Sequence, residues 1–267
     1  MRNMDASRIS ACTYPLIKEP LARAMEVIAA AGFKKIDLLG RMPHLSLDPA
    51  EYDPAAAKAM AQAHGLQIAN LGTYVGAGFA SEDRSTQERE LEQVHRAIDL
   101  AVSFGARSIR VRPGNDDAAC LERIVPWFQQ AARYAAGRGV YMGLENHGGG
   151  ISGQPRLCAE LASRVGSPFF GVLYEPCNLM HAGVDYRYGL HVMREHIVHV
   201  HCKDGAYTLA GFQYTMLGQG QIDYPWILAQ LDAIGYAGDL ALEYEMPEPP
   251  PAEALKQWYA TFRAMVG

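Results

Sequence analysis

A chain of 267 residues is close to the roughly 250 of a single α/β barrel and long enough to bury a large core. Its formal net charge of −5 excludes a basic field able to hold a nucleic-acid backbone. No apolar run approaches the ~18 residues of a membrane span, and residues 1–10 lack the apolar centre of a signal peptide, so a cytoplasmic enzyme with no membrane partner is expected. The five cysteines (12, 120, 158, 177 and 202) form no CxxC pair, which argues against a structural zinc site or a disulfide framework.

Short apolar runs alternate with longer segments of helical period. Strands are expected near 9–13, 34–39, 66–72, 106–112, 140–146, 169–175, 197–203 and 239–244. Helices are expected near 20–31, 54–64, 82–104, 117–138, 154–165, 184–195, 223–234 and 252–266. Strict alternation implies parallel strands with right-handed crossovers. Eight such units predict an α/β fold, a closed (β/α)₈ TIM barrel. A doubly wound sheet is the alternative, but no GxGxxG follows the first strand. Helix-to-strand turns repeat a glycine stop at Gly32, Gly65, Gly105 and Gly235. No linker or composition shift interrupts the chain, so residues 1–267 read as one domain.

Side chains alternate along a strand, and in a barrel the face turned to the helices must be apolar. In the strand near 197, Val198, Val200 and Cys202 form that face, while His199, His201 and Lys203 point inward. Glu243 and Glu245 lie opposite Leu242 and Tyr244, Glu145 and His147 lie opposite Leu144, and Arg110 and Arg112 lie opposite Ile109 and Val111. The ionisable residues of four strands therefore gather on the inward face, late in the strand.

An inward carboxylate must be paired, protonated or bound to metal. Glu145, Glu175 and Glu243 offer oxygens and His201 a nitrogen. That donor set suits one divalent ion, Mn²⁺ first, with Mg²⁺, Co²⁺ or Zn²⁺ also compatible. The competing reading is a structural ion-pair network in which Arg110 and Lys203 neutralise the acids. For Glu175 a second alternative is a carboxylate at a helix N-terminus. His44, Arg112, His147, His181 and Lys203 are candidate substrate contacts; His199, one layer deeper, reads as a satisfied core histidine.

These residues carry a resemblance. LENHGG at 144–149, YEPCNLMHAG at 174–183, HVHCKDG at 199–205 and the segment 217–245 resemble, in order and spacing, the sugar phosphate isomerase/epimerase family of xylose isomerase-like barrels. The resemblance implies a metal held by Glu, Asp, His and Glu, matched here by Glu145, Glu175, His201 and Glu243. Glu175 stands where the family has Asp. Asn178 stands where ketose 3-epimerases have a histidine, and no arginine follows between 202 and 215.

The expected activity is metal-dependent isomerisation or epimerisation of a ketose or keto-sugar through an enediolate, with Glu145 and Glu243 as the two acid/bases. The departures at Glu175 and Asn178 keep a lyase open, either dehydration of a keto-inositol or β-elimination from a 3-keto-glycoside. A third reading is a non-catalytic barrel that binds a sugar or a partner protein. The expected partner is a small-molecule sugar; self-association into a homo-oligomer stays open.

Overall fold

Eight parallel strands, β1 (Ile9–Cys12), β2 (Lys35–Leu39), β3 (Gln67–Gly72), β4 (Ser108–Val111), β5 (Tyr141–Glu145), β6 (Phe170–Tyr174), β7 (Ile197–Cys202) and β10 (Leu240–Leu242), close in the ring order β1-β10-β7-β6-β5-β4-β3-β2. This is the expected (β/α)₈ barrel. It is seen in a computed structural model that describes residues 5–114 and 117–266. The surrounding helices are α1 (Leu21–Ala30), α2 (Pro54–Ala63), α3 (Arg84–Phe104), α4 (Leu121–Arg138), α5 (Pro155–Val165), α7 (Tyr186–Met193), α8 (Tyr224–Ala233) and α9 (Pro251–Val266).

The alternation read from the sequence sets the layers. Ile36, Leu38, Ile109, Val111, Leu144, Val172, Val200, Leu240 and Leu242 are fully buried in the core shared with the helices. Burying each such side chain contributes roughly 1.5–3 kcal/mol. Tyr244 continues the outward phase of β10 and meets Trp258 of α9 edge-on, with ring centroids 5.5 Å apart. Helix ends follow local chemistry. Asp83 caps α3 by accepting from the Ser85 and Thr86 amides, and Gly105 ends it at φ 76°, a conformation that costs glycine nothing.

Two elements were not expected. The short helix α6 (Pro176–His181) follows β6 directly, with Glu175 as its N-cap. After β7, an antiparallel hairpin of β8 (Asp204–Thr208) and β9 (Gly211–Thr215) rises from the same end of the barrel. The Asp204 carboxylate anchors it, accepting from the amides of Gly205, Gly218, Gly220 and Ile222. Gly220 is required there, because a Cβ would stand 2.1 Å from Asp204 Oδ1. Among the described residues no helix is long and apolar enough to cross a membrane.

Inside the barrel a polar chain runs across three adjacent strands. Ser108 Oγ donates to Asn70 Oδ1 at 2.7 Å, and Asn70 Nδ2 donates to both carboxylate oxygens of Asp37 at 2.9 Å. Buried polar groups persist only when partnered in this way. The chain leads from β4 through β3 to β2, and from there to β7.

Candidate active site

His199 and His201 project inward from β7, as their phase requires. The Nε2 atoms of both face Asp37 Oδ2, at 2.8 and 2.9 Å. The carboxylate can only accept, so each histidine holds its proton on Nε2. This leaves His201 with Nδ1 turned toward the C-terminal mouth. There Nδ1 lies 3.5 Å from Glu145 Oε1 and 3.4 Å from Glu243 Oε2. Neither His201 Nδ1 nor Glu243 Oε2 has an aligned hydrogen bond, although both are buried.

Each acid has its own cation. Arg110 Nη1 donates to Glu145 Oε2 at 3.0 Å, and the rest of that guanidinium donates to the carbonyls of Gly72 and Thr73. Lys203 Nζ lies 3.0 Å from Glu243 Oε2 and 3.4 Å from Glu245 Oε2. Burial opposes charge on Glu145, but Arg110 and then His201 outweigh it and hold the carboxyl at about 2. Burial is likewise outweighed at Glu243, first by Lys203 and then by His201, and its carboxyl is held well below the carboxylate range. Burial also works against a proton on His201, yet its acidic neighbours, Glu243 and Asp37 among them, push it well above the histidine range. The space between His201 Nδ1, Glu145 and Glu243 therefore favours positive charge.

The structure brings together three of the four expected ligands. Glu175 is turned to α6 instead: Oε1 accepts from the Cys177 amide at 2.8 Å and Oε2 from the Asn178 amide at 2.6 Å. Asn146 locks its backbone, accepting from the Glu175 amide and donating to the Glu175 carbonyl. Burial raises the Glu175 carboxyl to about 7 even though Lys203 Nζ is 3.6 Å away. The helix N-terminus read as its alternative is where its oxygens lie.

The candidate substrate contacts divide. A cavity of about 230 Å³ at the mouth is lined by Lys203, His147 and Arg112, together with Tyr14, Arg41, Tyr74, Ser152 and the carboxylates of Glu145, Glu243 and Glu245. His147 uses Nδ1 to accept from the Gly148 amide. His181 does not line that cavity; it stacks on Phe212 of the hairpin, with centroids 4.5 Å apart and planes at 11°. His44 requires correction. It is fully buried, with Nδ1 3.0 Å from Thr13 Oγ1 and Nε2 3.1 Å from the Glu19 carbonyl, so it pins the loops after β1 and β2 and does not line that cavity. His199 is the satisfied core histidine its depth suggested.

Sequence reasoning missed Asp37, Arg41, Tyr74 and Tyr14. Asp37 had a signal, a lone carboxylate between Ile36 and Leu38 in the middle of its strand. The other three sit in loops, where no periodicity reports direction.

Among the described residues two groups of ligand-capable atoms lie within 4.8 Å of one another, Cys12 with His201 and Glu243, and Asp37 with His199 and His201. The second is already joined by hydrogen bonds. In the first, burial pushes the Cys12 thiol far above its ordinary value, so it stays protonated while no ion is bound. His201 Nδ1, with a carboxylate oxygen of Glu145 and one of Glu243 each within 3.5 Å of it, offers a further donor set, and a nitrogen with two carboxylates suits Mn²⁺ or Mg²⁺. Asp37 behind His201 stands as an outer-shell carboxylate would, fixing the orientation of the imidazole.

No functionally curated protein matches the chain. Among solved structures it is similar to D-allulose 3-epimerase from Methylomonas sp. (18% identity, 99% of this chain and 100% of that one, TM-score 0.77). It is also similar to a probable 3-DHS dehydratase involved in petrobactin synthesis from Bacillus anthracis (18% identity, 96% and 98%, TM-score 0.77). A xylose isomerase-like barrel from Mycobacterium smegmatis in complex with magnesium is similar too (18% identity, 99% and 100%, TM-score 0.79). At such identities these likenesses carry the fold. The family profile, a comparison of the sequence itself, matches residues 25–263, and the chain belongs to the xylose isomerase-like TIM barrel family.

Proposed function

We propose that the protein is a divalent-metal-dependent isomerase or epimerase of a keto-sugar. The observation that carries this reading is the trio of His201 Nδ1, Glu145 Oε1 and Glu243 Oε2, drawn within 3.5 Å of the imidazole nitrogen without an aligned hydrogen bond to satisfy it. A bound ion, Mn²⁺ by our reading, supplies a Lewis acid that polarises the sugar ketone and acidifies the neighbouring C–H.

Glu145 and Glu243 then do the proton work. Both are ionised at neutral pH, so either can accept the proton from the carbon beside the ketone. Glu145 ends β5, and Glu243 follows β10 three places round the ring, so they approach a bound sugar from different sides. Proton removal leaves an enediolate. The second glutamate, loaded with a proton from solvent, protonates the opposite face and inverts that carbon while the first releases its proton to solvent; protonation of the neighbouring carbon, with a proton passed between the two enediolate oxygens, exchanges aldose and ketose. Lys203 keeps Glu243 charged and lines the cavity beside it. Glu175 joins such a site only by releasing the amides of α6.

The same geometry supports a second reading, a lyase. Lys203 Nζ, buried among Glu243, Glu245 and Glu175, is placed to assist an oxygen leaving the carbon next to the enediolate. A probable dehydratase among the similar structures accords with it. The test is turnover of a keto-sugar panel in D₂O with Mn²⁺ present. Deuterium at the carbon beside the ketone with mass otherwise conserved supports the isomerase, and loss of a leaving group supports the lyase. Turnover with the hydrogen moved unlabelled between carbons removes the two-glutamate scheme.

A further inference from the structure

We infer that the substrate carries an anionic oxygen group, a carboxylate or a phosphate, at the end remote from the carbon that exchanges its proton. This rests on the isomerase reading of the same pocket and extends it to the substrate's chemical class.

The mouth is divided by charge. Glu145, Glu243 and Glu245 lie on one side, from β5 and β10. On the other side, the ends of the adjacent strands β2, β3 and β4 bring three arginines around one ring. Arg41 follows β2, Tyr74 follows β3, and Arg110 and Arg112 lie at the end of β4. The guanidinium carbons of Arg41 and Arg110 are each 4.3 Å from the Tyr74 centroid, and that of Arg112 is 5.9 Å away.

Arg110 is spent on Glu145 and two carbonyls, and its role ends there. Arg41 and Arg112 are exposed and line the cavity, and neither has an ion-pair partner among the described residues. An aromatic face holds a guanidinium flat and leaves its N–H edge free, which pre-organises a planar fork for a carboxylate or a phosphate. With Arg110 neutralised by Glu145, the like charges of Arg41 and Arg112 remain beside one ring, and in a chain of net charge −5 that local excess calls for an anion. Arg41 lies against Tyr74, and the Arg112 backbone is tied to the same loop by its amide donating to the Val75 carbonyl at 2.9 Å, which sets the pair relative to the acids. A neutral sugar gives these two arginines nothing to neutralise. An anionic one is oriented end to end, with its ketone toward Glu145 and Glu243 and its anion toward Arg41 and Arg112. The cavity of about 230 Å³ suits a monosaccharide-sized acid or phosphate ester.

The experiment is calorimetric titration of the intact protein with three six-carbon probes: glucitol, gluconate and glucitol 6-phosphate. At least one anion is expected to bind more tightly than glucitol. Arg41→Gln and Arg112→Gln should each weaken that anion about 10- to 100-fold, the range for truncating a charged hydrogen bond. Arg89→Gln, exposed on α3, serves as the control and should leave it unchanged. Preference for gluconate identifies a carboxylate, and preference for the ester identifies a phosphate. Glucitol binding as tightly as both anions, or a double variant that keeps wild-type affinity for them, overturns the inference. Anion binding without proton exchange on any keto-sugar would instead sink the isomerase reading and leave the anion site standing.

Discussion

Asp37 Oδ2 lies 2.9 Å from His201 Nε2, and this one contact decides which nitrogen of His201 faces the acids of the mouth. Because Asp37 also accepts from Asn70 and His199, its position is fixed from three sides. Burial would raise the Asp37 carboxyl, but His201 and His199 outweigh it and hold the group well below the carboxylate range. The imidazole is thus aimed by a permanently charged partner.

Asp37→Asn keeps the shape and removes the charge. Its amide donors then face Asn70 Nδ2, and one donor loses its acceptor, so thermal stability falls by about 1–3 kcal/mol. Mn²⁺ affinity, read by calorimetry on the folded variant, falls about 10- to 100-fold, the usual cost of removing a carboxylate behind a metal-binding histidine. Unchanged affinity would show that His201 needs no such support or binds no metal.

The two proposed bases separate by exchange kinetics. Glu243→Gln and Glu145→Gln each keep size and one oxygen but cannot take up a proton. Deuterium incorporation beside the ketone of a turned-over sugar should drop about 10²–10⁴-fold in each. Arg89→Gln on α3 should leave it as it is. Wild-type exchange in Glu243→Gln at saturating metal would remove Glu243 as a base.

What was legible in the sequence follows from where periodicity operates. The eight strands and their inward faces were readable because period-two alternation survives in a barrel wall, and Glu145, His201 and Glu243 came with them. Glu175 shared that phase and, like Glu243 after β10, stands one residue past its strand, but there Pro176 starts a helix at once. Beyond that point the demand of α6 for an N-terminal acceptor, which phase does not report, sets the rotamer. The same limit hid the hairpin: Asp204–Thr208 and Gly211–Thr215 are short strands paired only with each other, and two half-buried rings, Phe212 and Tyr214, make too short an alternation to stand out. His44 misled because a histidine in a loop after a strand looks alike whether it reaches substrate or, as here, pins Thr13 and the Glu19 carbonyl.

That structural role of His44 predicts a pH dependence. Burial lowers its folded-state value below the ordinary 6.5. The folded form therefore refuses a proton that the unfolded chain accepts. Its contribution to stability is complete above about 6.5 and shrinks as the pH falls toward the depressed folded value. The gap in Tm between wild type and His44→Gln should accordingly narrow on acidification through that window. A gap that widens instead would mean that His44 carries its charge in the fold.

The last prediction concerns Glu175, where the family resemblance and the structure pull apart. The resemblance places a metal ligand at this position, and the structure gives both oxygens to backbone amides of α6. The two roles compete for the same lone pairs. Glu175→Gln keeps one acceptor oxygen for the cap and loses the charge, whereas Glu175→Ala loses the cap entirely. If capping is its work, the alanine variant loses about 0.5–2 kcal/mol of stability, the glutamine variant loses less, and Mn²⁺ affinity changes far less in either than in Glu243→Gln. If Glu175 swings to the ion, the glutamine variant should lose affinity on the scale of Glu243→Gln while keeping its stability without metal. The pair of measurements, thermal unfolding without metal and Mn²⁺ titration by calorimetry, separates the two because one variant spares the cap and neither spares a carboxylate ligand. Equal losses of affinity at 175 and 243 would return Glu175 to the ligand set and require Asn146 and Asn178 to hold the start of α6 without it.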